Sequence, residues 1–497
     1  MDIFWEALKN IDTFTISLLL LSLGIALFYE MINGFHDTAN AVAMIIYTNS
    51  MKARYSVVMA SIMNFLGVIL GGIGVAYVIV HLLPLDIMVS SNKEAMLVMI
   101  YSLLIAAVVW NFGTWYFGLP VSSSHSLIGS LIGVSAAFGI MNGFSFSESV
   151  NWKEVYKILT VLAISPFAGF AFAYVLMKLA RMFIKDPKYF KSPSTEEGES
   201  KKKPKFWMRI GIILTGAGVS FAHGSNDGQK GIGLIMIILI GILPTYYALN
   251  MDSHEYKIKQ VRDSAQNLAK FYAENSQTLV GLVNEKHLIS ALKIKNPSIS
   301  ECDVNNVYET TSLIANKLEN VKSYFELSND DRWKVHNAIL CSDNFFLQVE
   351  KLYLLKDKDK SDYISSQRKI IVAASEYVPY WVIIAVALAL GIGTMMGYKR
   401  IVYTIGEKIG SQPVNYMQGA VSQAMAMTTI LLANFAHAPV STTHIVSSSV
   451  AGTMSAEPNG GVQKNTVKII LLSWIFTLPV TAFMGAGIYI CLTYLTK

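Results

Sequence analysis

Charge is scarce in this chain. Of its 497 residues only 15% are Asp, Glu, Lys or Arg, where a soluble protein carries roughly a quarter. The hydrophobic share is 53% and the mean hydropathy +0.43. These values exclude an ordinary soluble domain and identify a membrane protein. Other features are missing too. No GxxxxGK[ST] sequence occurs, which excludes transport driven by ATP within this chain, and neither serine-rich stretch has the G-x-S-x-G elbow of a hydrolase. No cleavable signal peptide is evident, so the first apolar segment is expected to stay. The net charge of +6 makes no case for nucleic-acid binding.

What is present is a series of apolar windows, near 12–32, 56–82, 95–117, 156–184, 377–398 and 467–494. Each is about 20 residues or longer, enough to cross about 30 Å of hydrocarbon as a helix. With further crossings in the small-residue segments, about ten to twelve are expected.

Two hydrophilic stretches divide the chain. The first, residues 185–206, is a short basic linker, expected in the cytoplasm by the positive-inside bias. The second, residues 251–376, holds 18 of the 34 acids and 17 of the 40 bases. Its apolar residues recur at helical spacing with almost no Pro or Gly, which predicts a small soluble domain of helices. Parity of the crossings, with the basic loops inside, places this insert in the periplasm. There Cys302 and Cys341 are free to form a disulfide; two unrelated buried thiols are the alternative. The remainder reads as a first membrane repeat over 1–184 and a second over 207–250 and 377–497.

The repeat rests on two pairs of motifs. "GFHDTANA" (Gly34–Ala41) aligns with "GSNDGQKG" (Gly224–Gly231), and "LPVSSSHSLIGSLIG" (Leu119–Gly133) with "APVSTTHIVSSSVAG" (Ala438–Gly452). The order predicts an all-α polytopic membrane protein of two inverted repeats, each with a broken helix and a Ser/Thr-tipped hairpin.

Each motif carries chemistry. Pro120 and Pro439 suit a helix start, and the hydroxyls of Ser122, Ser123, Ser124, Ser441, Thr442 and Thr443 follow at once. Hydroxyls and unpaired N–H groups at a helix N-terminus make an anion cradle; helix capping and close helix packing are the plainer alternatives. A charge at mid-bilayer costs at least ~2.5–3.5 kcal/mol, so Asp37 and Asp227 are expected to face a cavity or a bound cation. Glu30, one turn before the first break, is a further proton or cation carrier. Glu407 is a weaker one beside Lys408. His36, His125, His223 and His444 all lie in or beside the motifs, which predicts at least one titrating imidazole.

"GFHDTANAVA", "HGSNDGQKG", "PVSSSHS" and "PVSTTH" together resemble the duplicated signatures of the inorganic phosphate transporter (PiT) family, most closely its bacterial low-affinity branch. The resemblance spans the membrane part of the chain. It implies phosphate import driven by an ion gradient across a bacterial inner membrane, with no enzymatic activity, no cofactor and, for similar membrane folds, a homodimer. It places phosphate on the six hydroxyls with Gly228 and Gln229, and the coupling ion on Asp37, Asn40, Asn226 and Asp227. His36 and Lys230 stand where sodium-coupled members carry Asn, and imidazole and ammonium are poor sodium ligands. The resemblance therefore implies proton coupling through His36, Lys230 and Glu30, with phosphate also able to travel as a neutral complex with a divalent metal. Sodium coupling, transport of sulfate or another oxyanion, and, more remotely, an intramembrane hydrolase using Ser124 with His125 or His444 are the rival readings.

Overall fold

The computed structural model describes residues 2–83, 93–147, 149–193, 203–285, 306–353, 357–397, 399–458 and 461–496. The chain divides into two compact units. One comprises Met1–Ile16, Met88–Lys93 and Leu239–Pro379, the other Ser17–Ile87, Glu94–Ile238 and Tyr380–Lys497.

In the larger unit the chain runs through α1 (Thr13–Tyr47), α2 (Ala53–Leu70), α3 (Lys93–Tyr116), α4 (Ser123–Met141), α5 (Trp152–Phe183) and α6 (Phe206–Ile242). Among the described residues six helices are long and apolar enough to cross a membrane: α1 to α5 and the final helix Lys464–Leu495. The apolar window near 377–398 yields a helix of only 15 residues, and the window at 56–82 breaks at Gly72, whose φ of +81° ends α2.

The two acidic signatures do not break their helices. α1 continues for 35 residues and α6 for 37, straight through Gly34 and Gly224. The glycines admit a neighbouring backbone instead. A Cβ on Gly34 would stand 2.6 Å from Leu390 O, and one on Gly224 only 2.1 Å from Asn64 O. Close approach of helices is the commoner use of small residues in membranes.

The insert is built from α7 (Glu255–Glu285), α8 (Val307–Lys317), α9 (Asn329–Tyr353) and α10 (Lys358–Val372). Ile258, Val261, Ala265 and Leu268 recur at helical spacing on α7 and pack with Ile314, Ile339, Phe346 and Ile364 in one core. Buried Arg332 donates to the carbonyl oxygens of Tyr324, Phe325 and Thr245. Cys341 is buried and disulfide-bonded; Cys302 lies outside the described residues. Cys491 is a free, exposed thiol.

The larger unit resumes with α11 (Tyr380–Thr394), α12 (Tyr416–Phe435), α13 (Thr442–Ser455) and α14 (Lys464–Leu495). Its packing is reciprocal. α4, from the first half of the sequence, lies along α14 from the second, while α13 lies along α5. Small residues let these pairs touch backbone to backbone: a Cβ on Gly133 would meet Ala482 O at 1.9 Å, and one on Gly452 would meet Phe170 O at 2.4 Å. Both outer helices contain a central proline, Pro166 in α5 and Pro479 in α14.

Candidate functional site

The two serine-rich tips adopt the same local form. Ser122 caps α4 by accepting from His125 N at 3.2 Å, and Ser441 caps α13 by accepting from His444 N at 3.3 Å. These two hydroxyls are thus committed to their own helices. Pro120 and Pro439 sit two residues upstream of the caps, outside the helices they were expected to start. Pro120 uses its carbonyl to accept from Trp474 Nε1 at 3.2 Å.

The hydroxyls just inside the helices meet the acids. Thr443 Oγ1 donates to Asp37 Oδ1 at 2.6 Å, and Thr442 Oγ1 lies 3.2 Å from Asp37 Oδ2 and 3.3 Å from Asp227 Oδ2. Asn40 Nδ2 also donates to Asp37 Oδ1, at 2.6 Å, and reaches Thr443 Oγ1 at 3.2 Å. On the other side Lys230 Nζ donates to Asp227 Oδ1 at 2.5 Å, Ser124 Oγ at 2.5 Å and Val440 O at 2.7 Å. Asp37, Asp227 and Lys230 are each at most 2% exposed. The tips of α4 and α13 and the signatures of α1 and α6 therefore converge on one buried polar cluster.

His223 completes it. Its Nε2 lies 2.9 Å from Asp37 Oδ2 and 3.4 Å from Asp227 Oδ2, and its Nδ1 lies 3.0 Å from Asn64 Oδ1. The Asn64 amide is oriented by its own Nδ2 donating to Thr394 Oγ1, a hydroxyl that in turn donates to Leu390 O. Both ring nitrogens thus face acceptors, and the ring makes all these contacts only when both carry hydrogen. Two carboxylates are then matched by one ammonium and one imidazolium. The ligand atoms of Asp37, His223 and Asp227 also lie within 4.8 Å of one another, a spacing that could hold a metal ion once the imidazole has given up its proton.

Several expected residues point elsewhere. His36, adjacent to Asp37 in sequence, turns about 100° away around the helix and lies 2.7 Å from Asn111 O. Asn226 binds Asn434 Oδ1 and Ala438 O and accepts from Val440 N, so it anchors the approach to α13 and does not face the carboxylates. Gln229 bridges Gly71 O and Val75 N, and Gly228 packs against Val68. Glu30 is fully buried over Gly231, its Oε2 3.5 Å from Asn33 Nδ2; among the described residues it makes no hydrogen bond to the cluster, though it lies near enough to Asp227, His223 and Lys230 to feel their charges. Ser123 contributes its backbone oxygen, which accepts from Tyr29 OH at 3.0 Å. Glu407 is exposed. The hydrolase pairings are absent among the described residues: Ser124 Oγ serves Lys230 and Val440, while the His125 and His444 rings face each other at 4.6 Å.

Asn64 is the member that no motif marked. His223 was one of four motif histidines among which a titrating imidazole was expected, and the signal that would have chosen it is its position four residues before Asp227 and seven before Lys230, the spacing of one helix face.

The model of the Phosphate transporter family matches residues 33–485. The low-affinity inorganic phosphate transporters PitA and PitB of Escherichia coli (strain K12) are each 42% identical over 488 residues, 97% of both chains. The probable low-affinity inorganic phosphate transporter of Bacillus subtilis (strain 168) is 28% identical over 94% of this chain and 95% of its own. A solved structure described as the sodium-dependent phosphate transporter shares the fold with a TM-score of 0.54 at 19% identity, covering 96% of this chain and 100% of that one.

Proposed function

We propose, from the premise that this chain belongs to the phosphate transporter family, that it imports inorganic phosphate by proton symport through the cluster of Asp37, Asp227, His223 and Lys230. The observation that carries the reading is the position of His223 between the two carboxylates. With Lys230 and the doubly protonated ring in place the cluster is neutral. Phosphate entering it brings negative charge into a buried site, and a net anion there is strongly penalised. A proton that travels with the anion offsets that charge.

The hydroxyls would change partners during binding. Ser124, Thr442 and Thr443 donate to protein acceptors here; rotation about χ1 turns the same hydrogens toward a phosphate oxygen. Protonated phosphate can in turn donate to Asp37 or Asp227, which sulfate at neutral pH cannot do. This is the basis for preferring phosphate. Sodium is disfavoured because Lys230 Nζ already occupies the bonding position on Asp227 Oδ1.

A second reading, transport of phosphate as a neutral complex with a divalent metal, is favoured by the grouping of Asp37, His223 and Asp227. Proton and metal would compete for His223 Nε2. The protein would reside in a bacterial inner membrane as two inverted repeats, with the insert periplasmic and Cys302 paired with Cys341.

The test is uptake of radiolabelled phosphate into proteoliposomes with proton, sodium and divalent-metal gradients imposed separately. Uptake is expected to follow the inward proton gradient, to ignore sodium and sulfate, and to vanish in Asp37→Asn and Asp227→Asn. Uptake that follows sodium at constant pH would overturn proton coupling. An absolute requirement for a divalent cation would select the metal-complex reading.

A further inference from the structure

Among the described residues of the membrane unit Asp37, Asp227 and Glu30 are the fully buried carboxyls, and only Glu30 has no ion pair. Its Oε2 receives one amide hydrogen, from Asn33 Nδ2, and 3.5 Å is long for such a bond. Its Oε1 has no donor at all, and neither has Asn33 Oδ1. No space for a water molecule adjoins either atom. A divalent cation would need more oxygens than these two. A carboxylate here would be an unpaired charge out of reach of water, which proteins avoid by neutralising the group. A proton on Oε1 removes the charge, makes the carboxyl a donor in its own right and needs no cavity.

The carboxyl rests on the backbone of α6. A Cβ on Gly231 would stand 2.3 Å from Glu30 Cδ and 2.4 Å from Oε1, so glycine is what admits it. Seven residues on, Asp37 meets His223, and Ile45 fills the space beside Gly216. The partners of α1 thus run backwards along α6, and the two helices are antiparallel. Glu30 stands about 10 Å before Asp37 along α1. The titratable groups within electrostatic reach are Asp227, His223 and Lys230 on α6 and Tyr29 on its own helix, and among the described residues none of them is hydrogen-bonded to it. The second signature has no equivalent acid: aligning Gly34 with Gly224 puts Ser220 in the place of Glu30.

We propose that Glu30 holds the proton that accompanies phosphate. A phosphate anion in the cluster and a carboxylate at Glu30 would be two like charges buried close together, so the anion binds while Glu30 is neutral and the proton leaves after the anion has gone. The step is a plain proton transfer. The Oε1–H bond breaks, its electron pair stays on the carboxylate, and the proton passes to water admitted as the site opens. With α1 entering from the periplasm, Glu30 lies on the side of the cluster from which the driving proton arrives. This role rests on proton symport; the neutrality of the carboxyl does not.

The test uses the full-length protein in proteoliposomes. Net uptake of radiolabelled phosphate under an inward proton gradient is measured beside exchange of labelled for internal phosphate on the same preparation. Glu30→Gln, which is permanently neutral, is expected to lose net uptake and to keep exchange at the wild-type rate, because exchange never requires the proton to leave. Infrared spectra at neutral pH should show the carbonyl stretch of a protonated carboxyl in the wild type that is missing from the variant. Glu30→Met, apolar and similar in length, takes its place should the glutamine variant fold poorly on gel filtration. Net uptake that persists in the variant, exchange lost together with net uptake in folded protein, or an unchanged infrared band would each overturn the proposal. Wild-type uptake that follows sodium would remove proton symport and this role with it, and the infrared band would then decide the state of Glu30 alone.

Discussion

In the membrane unit two carboxylates, Asp37 and Asp227, meet one ammonium and one imidazole, with all four side chains at most 2% exposed. In the insert, Arg368 reaches Glu350 at 3.0 Å and Asp343 more closely, and these side chains are 15–21% exposed. The first cluster balances its charge by composition. The second has more acid than base, and the surplus appears at Glu376, whose carboxyl is pushed up to about 7 by burial and by Asp343, against the pull of Arg368. Where water is near, an imbalance can be relieved by taking up a proton; deep in a bilayer the partners must be built in.

The comparison breaks most visibly at its cations. Lys230→Met strands the buried Asp227 charge, at a cost of about 3–5 kcal/mol. Folded yield on gel filtration should collapse with uptake, and adding Asp227→Asn should restore the yield without the uptake. Arg368→Met, in a half-wet setting, should cost about 1 kcal/mol and leave the uptake rate unchanged. Equal losses from the two substitutions would mean that burial does not separate the clusters.

Removing one donor is the next largest step. Thr443→Val deletes a hydrogen bond to a charged group, worth about 1.5–3 kcal/mol, and should lower kcat/KM for phosphate roughly 10- to 100-fold. Ser124→Ala should do less, because Lys230 keeps Asp227 and Val440. Initial rates over a range of phosphate concentrations would rank the two.

Titration sharpens the contrast in the insert. Between the ordinary Glu value and about 7 the folded state holds a proton at Glu376 that the unfolded state has lost. This group's contribution is therefore most favourable at the acid end and declines as pH rises toward 7. Glu376→Gln should flatten that slope in melting curves taken from pH 5 to pH 8. A wild-type insert that gains stability over the same range through this residue would contradict the assignment. The smallest effects belong to the caps. Ser122→Ala and Ser441→Ala should each cost about 1 kcal/mol of thermal stability, nearly equally, with little change in uptake.

Much of the site was legible because polarity is conspicuous in so apolar a chain. Asp37, Asp227, Lys230 and the hydroxyls of both tips stand out by type and by repetition, and all but the two capping serines and Ser123 place their side chains in the cluster. What stayed hidden was direction. His36 is next to Asp37 along the chain, but neighbours on a helix point apart, and the imidazole that arrives comes from α6. Gln229 is two residues from Asp227 and faces α2 for the same reason. Continuity of α1 and α6 was hidden too, because a glycine in a sequence serves equally for a bend or for a tight crossing. Only the backbones of Leu390 and Asn64, packed against Gly34 and Gly224, decide between the two.

The reciprocal pairing of α4 with α14 and of α13 with α5 has a consequence for biosynthesis. Ser123, where α4 begins, leaves the ribosome 341 residues before Lys464, where α14 begins. At ~5–20 residues per second that is a wait of roughly 20–70 s. Through that interval the groove at Gly129 and Gly133 has no partner, and α5 waits nearly as long for α13. Neither half of the chain can therefore mature as a finished bundle while the other is missing. The 32-residue helix α14, made after α13, is also the one that closes the first half.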